Sequence, residues 1–143
     1  MALVLLFLAL PASAQTVTIT DGDTIKIGAT TLRLWGIDAP ESRQVCDDGW
    51  AAGQEAARTL RTLMQGRRLE CQDRGKDRYG ATLALCTADG TDLSAAMVIA
   101  GMAWAYLEHG RAYIDHERDA SNARKGVHDH SCLLPWVWRE QRH

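Results

Sequence analysis

The tetrapeptide Asp21-Gly22-Asp23-Thr24 joins two short runs of alternating apolar and polar residues, 16–20 and 24–27. Alternation with a period of two is typical of strands that are buried on one face only. An Asp-Gly pair between two such runs is a strong signal for a β-hairpin. The turn needs only one small polar residue, yet this one carries two carboxylates. The tetrapeptide therefore predicts a hairpin whose turn is richer in carboxylates than the turn itself requires.

A second pair of carboxylates, Asp38 and Glu41, follows the next predicted strand, and Pro40 stiffens the chain between them. Carboxylates and backbone carbonyls are the ligands that hard divalent cations prefer, calcium above all. Arg33, on the intervening strand, adds a planar cation suited to phosphate. A divalent metal beside an arginine indicates phosphodiester chemistry. Taken singly, each piece also has an ordinary interpretation as a turn, a solvated strand residue or a loop.

Several strings of the sequence, taken in order, point to one family. They are Asp-Gly-Asp-Thr at 21–24, Arg-Leu-Trp-Gly-Ile-Asp-Ala-Pro-Glu at 33–41, Asp-Arg-Tyr-Gly at 77–80, Gly-Met-Ala-Trp-Ala-Tyr at 101–106 and Pro-Trp-Val-Trp-Arg at 135–139. Together they resemble the staphylococcal nuclease (thermonuclease-like) family over nearly all of the chain after residue 15. The resemblance implies an α+β protein with a five-stranded OB-fold β-barrel and three α-helices.

The hydrophobic pattern by itself supports an α+β fold without specifying a barrel. It predicts strands near residues 16–20, 24–28, 31–36, 68–72 and 82–87, with an irregular loop at 37–49. It predicts helices at 50–65, from a cap at Asp92 to about residue 100, and from about 113 to 125.

Residues 1–14 combine an apolar run with an Ala-Ser-Ala cleavage site, and we interpret them as a secretory signal peptide. Residues 15–143 then form one thermonuclease-like OB-fold domain, since they are too few for two domains. We therefore expect a secreted or periplasmic protein, a monomer without membrane attachment once the signal is removed.

The four cysteines fit an exported protein. None forms a Cys-x-x-Cys pair, which argues against a zinc finger or a thioredoxin-like redox motif. Three disulfide connectivities are open. If the strands on either side of residues 77–80 form a hairpin, Cys71 and Cys86 can face each other across it. We prefer that pairing, which leaves Cys46 to bond with Cys132.

The formal net charge is −2, whereas nucleic-acid-binding proteins usually carry a basic surplus. Any affinity for phosphate must therefore come from a local patch or from the metal. The candidate basic residues are Arg33, Arg67, Arg68, Arg74, Lys76 and Arg78.

The family resemblance assigns roles to individual residues. It implies calcium (Ca²⁺) ligation by Asp23, by Asp38 and by the backbone carbonyl of Ala39, with Asp21 in a supporting position. It implies that Glu41 is the general base, or orients the attacking water, and that Arg33 binds the phosphate in the transition state. Residues expected to contact substrate are Arg78, Tyr79 and Tyr106.

Ala81 departs from the family pattern, because the resemblance places a second phosphate-binding arginine directly after Asp77-Arg78-Tyr79-Gly80. Removal of one preorganised transition-state donor typically costs about 10²–10³ in rate. The sequence therefore predicts a nuclease with attenuated activity.

Our main hypothesis is a calcium-dependent hydrolase, an endonuclease that cleaves phosphodiester bonds in single- or double-stranded DNA and RNA. The alternative is a catalytically weak OB-fold module that binds nucleic acid or a partner. A third option is a disulfide-linked envelope protein without a role in nucleic-acid metabolism. The carboxylates and Arg33 favour the enzyme, whereas Ala81 favours the module.

Overall fold

The computed structural model describes residues 15–142. Residues 1–14 lie outside the described part, so the signal-peptide prediction stays a prediction. The strands are β1 (Val17–Asp21), β2 (Thr24–Ile27), β3 (Thr30–Leu34), β4 (Ile37–Asp38), β5 (Leu69–Lys76), β6 (Thr82–Ala88), β7 (Thr91–Asp92) and β8 (Trp104–Ala105). The α-helices are α1 (Ala52–Met64), α2 (Leu93–Ile99), α3 (Ile114–Asn122) and α4 (Pro135–Glu140).

The main sheet has the strand order β1-β2-β3-β6-β5, with β7 beside β6. All pairings are antiparallel except that of β3 with β6, which is parallel. The five long strands of this sheet are those predicted from the sequence, and β1 and β2 form the predicted hairpin. With a mixed sheet and four helices, the fold is α+β and OB-fold-like, which confirms the expected fold class.

Some short elements were not predicted. The loop expected at 37–49 begins with β4, which pairs with β8 and thereby sets Asp38 opposite Trp104. Helix α4 follows the last predicted helix, begins at Pro135 and has six residues, which is too short for a hydrophobic period to be read. Among residues 15–142, no helix is long and apolar enough to cross a membrane.

Close packing places the first hairpin turn against α1. A Cβ atom on Gly22 would lie 2.6 Å from Cβ of Ala56 and 2.9 Å from Cβ of Ala39. Only glycine at residue 22 therefore lets the turn lie directly on the helix. This approach carries the neighbouring Asp23 into the interior, where it is 3 % exposed.

The buried side chain of Gln44 organises the loop between β4 and α1. Its Oε1 accepts a hydrogen bond from the backbone amide of Glu41 at 3.2 Å. Its Nε2 donates to the carbonyl of Leu133 at 2.7 Å. The backbone of Gln44 adds two more bonds: its N–H donates to the Glu41 carbonyl at 2.8 Å, and its C=O accepts from the amide of Gly53 in α1 at 3.0 Å. One side chain thus links the loop that bears Glu41 to the segment that leads into α4.

Two disulfides fasten the chain. Cys71 and Cys86 are directly opposite each other on β5 and β6. Cys46 bonds with Cys132 and so links the loop between β4 and α1, which carries both Glu41 and Gln44, to the segment before α4. This is the pairing that the sequence favoured. The described residues contain no free cysteine.

The packing of Gly53 leads to a test of this arrangement. A Cβ on Gly53 would overlap the carbonyl oxygen of Glu41 and lie 2.7 Å from the carbonyl carbon of Ser42. In an open helix, Gly→Ala stabilises by about 0.5–1 kcal/mol. We expect the opposite sign for Gly53→Ala, with the melting temperature lowered by several degrees in thermal unfolding followed by circular dichroism.

The matched control is Gln54→Ala, the next residue on the same helix, which is exposed and should change stability little. A Gly53→Ala protein that melts at or above the wild-type temperature would contradict the close contact between α1 and the Glu41 loop.

Candidate active site

Three acidic side chains meet where the β1–β2 turn, β4 and the following loop come together. Asp23 and Asp38 are buried, and the side chain of Glu41 is 29 % exposed. The amide of Ala39 donates to Oδ2 of Asp23 at 2.8 Å, which joins the turn to the chain directly after β4. Oδ1 of Asp21 accepts from the amide of Asp23 at 3.3 Å, which places Asp21 beside the cluster in the same turn.

Two arginines from distant elements contact these carboxylates. Nη2 of Arg33, on β3, lies 3.2 Å from Oδ1 of Asp38 and 3.9 Å from Oδ2 of Asp23. Arg139, on α4, donates to Oδ1 of Asp38 at 3.1 Å and to Oδ2 at 2.8 Å. It also donates from Nη1 to Oε1 of Glu41 at 2.6 Å. The two guanidinium groups therefore converge on one oxygen of Asp38.

The electrostatics of the cluster follow from burial. Burial, reinforced by the nearby Asp21 charge, raises the pKa of Asp23 to about 7. Burial also raises the pKa of Asp38, while hydrogen bonds from Arg139 oppose that rise. These same bonds raise the pKa of Arg139. Asp23 is therefore a carboxyl group whose charge the protein compensates only in part, and a nearby cation would stabilise its ionised form.

An open cleft of about 360 Å³ lies beside the cluster. All three residues predicted to bind substrate line it, namely Arg78, Tyr79 and Tyr106. The Arg78 side chain is 67 % exposed and Tyr79 is 75 % exposed, whereas Tyr106 is half-buried and packs on Trp136 with ring centres 5.9 Å apart. Arg33 and Arg139 also line the cleft, so they face both the carboxylates and the open space.

The turn between β5 and β6 closes one side of this cleft. Oδ1 of Asp77 accepts from the amides of Tyr79 and Ala81 at 2.8 and 2.9 Å, which fixes the turn. Oδ2 of Asp77 lies 3.9 Å from Nη1 of Arg33. Ala81 brings only a methyl group to the position where the sequence led us to look for a second arginine.

The donor chemistry of the cluster fits a hard divalent cation, although the protein supplies few ligands. Within residues 15–142, no three side chains of His, Cys, Asp or Glu are arranged to hold a metal ion. The carboxylates of Asp23 and Asp38, two of the three ligands that the sequence predicts, are both buried in the cluster, and water would complete the coordination shell of an ion there. Asp23 is 3 % exposed and the Arg33 guanidinium is 3.9 Å from its carboxylate, so a bound cation would compensate a buried charge that this one distant ion pair offsets only weakly.

Two residues of the site were missed in the sequence. Arg139 lies in the Pro-Trp-Val-Trp-Arg string at 135–139, which resembles the family without indicating which side chain reaches the carboxylates. Gln44 lies in a loop that has no periodicity, and no spacing marks it. Both depend on contacts between distant segments: the hydrogen bond from Gln44 to Leu133 spans 89 positions, and those from Arg139 to Asp38 span 101.

Comparison of the sequence with known proteins identifies the family of this chain. A sequence model described as "Staphylococcal nuclease homologue" matches residues 31–129. Protein ParB of Escherichia coli is 35 % identical, with 98 % of this chain and 88 % of the relative aligned. A micrococcal nuclease of Shigella flexneri is 34 % identical over 96 % of this chain and 88 % of its own. An uncharacterized endonuclease of Haemophilus influenzae is 33 % identical over 90 % and 74 %. With its fold, its cluster and these relatives, the chain belongs to the staphylococcal nuclease family.

Proposed function

We propose that this protein is a calcium-dependent nuclease that hydrolyses phosphodiester bonds in DNA and RNA. The observation that carries the proposal is the convergence of Asp23, Asp38 and Glu41 with Arg33 beside an open cleft. Relatives named micrococcal nuclease and uncharacterized endonuclease support a nucleic-acid substrate.

The cleft supplies binding and orientation. Arg78 is exposed there and suits the phosphate backbone, whose negative charge dominates affinity for basic side chains. The aromatic rings of Tyr79 and Tyr106 offer faces on which bases or sugars can rest. Such contacts carry no sequence information, so we propose cleavage with little sequence preference, on single- or double-stranded DNA and RNA.

Chemistry would take place where Arg33 meets the carboxylates. Asp23, Asp38 and the Ala39 carbonyl would hold calcium, with Asp21 in support, and the ion when bound would polarise a phosphoryl oxygen. Glu41 is exposed enough to accept the proton of a water molecule as that water attacks phosphorus. The bond from phosphorus to the leaving oxygen then breaks, and the leaving oxygen takes a proton from solvent. Arg33 donates to the non-bridging oxygens as their charge grows.

The activity level is the finer part of the proposal. Ala81 alone predicts attenuation of about 10²–10³, because one phosphate-directed donor is missing. A catalytically weak module that binds nucleic acid or a partner is the alternative that Ala81 favours. The cluster contains another guanidinium group, that of Arg139. The extent of attenuation therefore depends on whether Arg139 contacts the phosphate.

The two disulfides favour an oxidising compartment. Together with the apolar N-terminal segment, they support a secreted or periplasmic location. We propose that the mature domain acts as a monomer.

Hydrolysis of a single-stranded DNA oligonucleotide tests the proposed function. The oxidised mature domain should cleave it with calcium and stop when a chelator is added. Glu41→Gln should lower kcat by about 10²-fold or more, because the proton acceptor is lost. The matched control is Glu140→Gln, which removes an exposed carboxylate from the cleft wall outside the cluster and should leave kcat within about threefold. Cleavage that is indifferent to calcium and to Glu41→Gln would contradict the proposal.

Calcium ligation by Asp38 has a separate test. Asp38→Asn keeps the size of the buried group but removes its charge, so we expect calcium binding to weaken by about tenfold or more in titration calorimetry. Far-ultraviolet circular dichroism should be unchanged. The control is Asp47→Asn, an exposed carboxyl outside the cluster. Equal calcium affinities for wild type and Asp38→Asn would refute the ligand assignment.

The raised pKa of Asp23 predicts how stability depends on pH in calcium-free buffer. Between about pH 4 and pH 7, the folded protein holds a proton on Asp23 that the unfolded chain has released. The free energy of unfolding should therefore fall as the pH rises through this window, and Asp23 should add no further slope above it. Asp23→Asn should reduce the fall between pH 4.5 and 7 in urea unfolding, whereas Asp47→Asn should not. Parallel pH profiles for wild type and Asp23→Asn would show that the carboxyl is not buried as described.

A further inference from the structure

We propose that Arg139 is a catalytic residue, the second phosphate-binding arginine of this enzyme, supplied by α4 in place of the one that is absent at Ala81. This inference rests on the proposed nuclease function and deepens it. It names the side chain that completes the transition-state site, and it changes the expectation that Ala81 leaves the activity attenuated.

The position of Arg139 relative to Arg33 is the first reason. Their nitrogens lie 3.1 and 3.2 Å from the same oxygen, Oδ1 of Asp38. The two cations thus stand next to each other at the place where the proposed water activator, Glu41, is also bound. The carboxylate of Asp38 holds the two guanidinium groups side by side. Two adjacent guanidinium groups suit the non-bridging oxygens of a phosphodiester in the cleft that both of them line.

Access to substrate is the second reason. Both arginines line the cleft that contains Arg78, Tyr79 and Tyr106. The Arg139 side chain is 27 % exposed and that of Arg33 is 21 % exposed, so both are accessible to a ligand in the cleft. Each guanidinium group therefore contacts the carboxylates and also borders the cleft that a substrate would enter.

The anchoring of α4 is the third reason. The segment directly before α4 is held to the Glu41 loop by the Gln44–Leu133 hydrogen bond, the Asp47–Ser131 hydrogen bond and the Cys46–Cys132 disulfide. Glu41 and Arg139 are therefore positioned by the same loop. A catalytic donor must be held in place before reaction, and this rigid link supplies that condition.

Charge balance is the fourth reason. Three carboxylates, those of Asp23, Asp38 and Glu41, surround the reaction site and would repel a phosphodiester. Arg33 alone offsets one of these charges, and Arg139 offsets a second. The chain as a whole has a net charge of −2, so it provides no general attraction that could substitute for a local cation.

Arg139 also bonds both carboxylate oxygens of Asp38, and Asp38 is one of the proposed calcium ligands. An ion bound to Asp38 must share or displace these bonds. Displacement would release the guanidinium toward the cleft, where the phosphate is expected. Removal of Arg139 should therefore leave calcium binding as tight as in the wild type or tighter.

The experiment compares kcat and KM for a single-stranded DNA oligonucleotide, with calcium, across a set of variants. Arg139→Ala should lower kcat by about 10²–10³, with a smaller change in KM, because a donor aimed at developing charge acts in the transition state. Arg139→Lys should be intermediate, since lysine keeps the charge but lacks the planar fork. Arg142→Ala is the matched control, because Arg142 lies just after the same helix and stacks on Trp138 at 3.8 Å.

Rescue separates catalysis from folding, because loss of Arg139 also leaves a buried carboxylate less well paired and lowers stability. Ala81→Arg should restore kcat at least about tenfold in the Arg139→Ala background. In the wild-type background Ala81→Arg should raise kcat much less, because Arg139 already binds the phosphate there. A damaged α4 could not be repaired by an arginine placed before β6.

Calorimetry gives a readout that does not depend on turnover. Calcium should bind Arg139→Ala at least as tightly as it binds the wild type, whereas a residue that merely holds the site together would weaken calcium binding when removed.

The outcomes separate the inference from the proposed function. If wild type is active, Glu41→Gln is inactive and Arg139→Ala keeps wild-type kcat, the inference alone fails. It also fails if Arg139→Ala is faster than wild type, since Arg139 would then be an inhibitory contact. It fails too if calcium binding is weakened and Ala81→Arg gives no rescue. If wild type is inert with calcium, the proposed function fails and this inference falls with it.

Discussion

The carboxylate of Asp38 has no exposed surface, and it lies between two guanidinium groups that come from opposite parts of the chain. A buried charge without partners costs several kcal/mol, so the ionised form of Asp38 depends on the two arginines that contact it, or on a bound cation that takes the place of one of them. Arg33 is delivered by β3 and Arg139 by α4, and β4 carries Asp38 itself. One electrostatic requirement thus fixes the relative positions of the sheet and the C-terminal helix.

The loop between β4 and α1 fixes the distance between Glu41 and the segment that leads into α4. A neutral amide has both donors and acceptors, so Gln44 can bond the Glu41 backbone on one side and the Leu133 carbonyl on the other without adding charge. Gly53 lets the same loop lie directly on α1. The backbone of Glu41, the proposed water-activating residue, is therefore fixed by Gln44. The Glu41 side chain bonds Arg139 and is partly exposed to water.

Local patterns in the sequence predicted much of the fold. The alternation around residues 21–24 predicted the first hairpin, and the side chain of Asp92 accepts a hydrogen bond from Ala95 as the predicted helix cap should. Arg33, Asp38 and Glu41 were found because they lie close together in one string. Arg139 and Gln44 act only through tertiary contacts, and a six-residue helix gives too few positions for a period to appear. A single sequence therefore predicted the N-terminal half of the cluster and missed its C-terminal half.

A phosphate-binding arginine on α4 depends on contacts between distant parts of the chain, whereas one at residue 81 would depend only on the local turn before β6. A side chain at residue 81 would be fixed by a local turn that Asp77 already holds through two backbone amides. Arg139 instead depends on a long-range closure whose covalent link is the Cys46–Cys132 disulfide, which joins residues 86 positions apart. Such closure restricts the unfolded chain strongly and keeps α4 near the Glu41 loop. If Arg139 is the second phosphate-binding arginine, formation of this disulfide from the Cys46 and Cys132 thiols helps to assemble the active site as well as to stabilise the fold. That coupling would match the enzyme to an oxidising compartment.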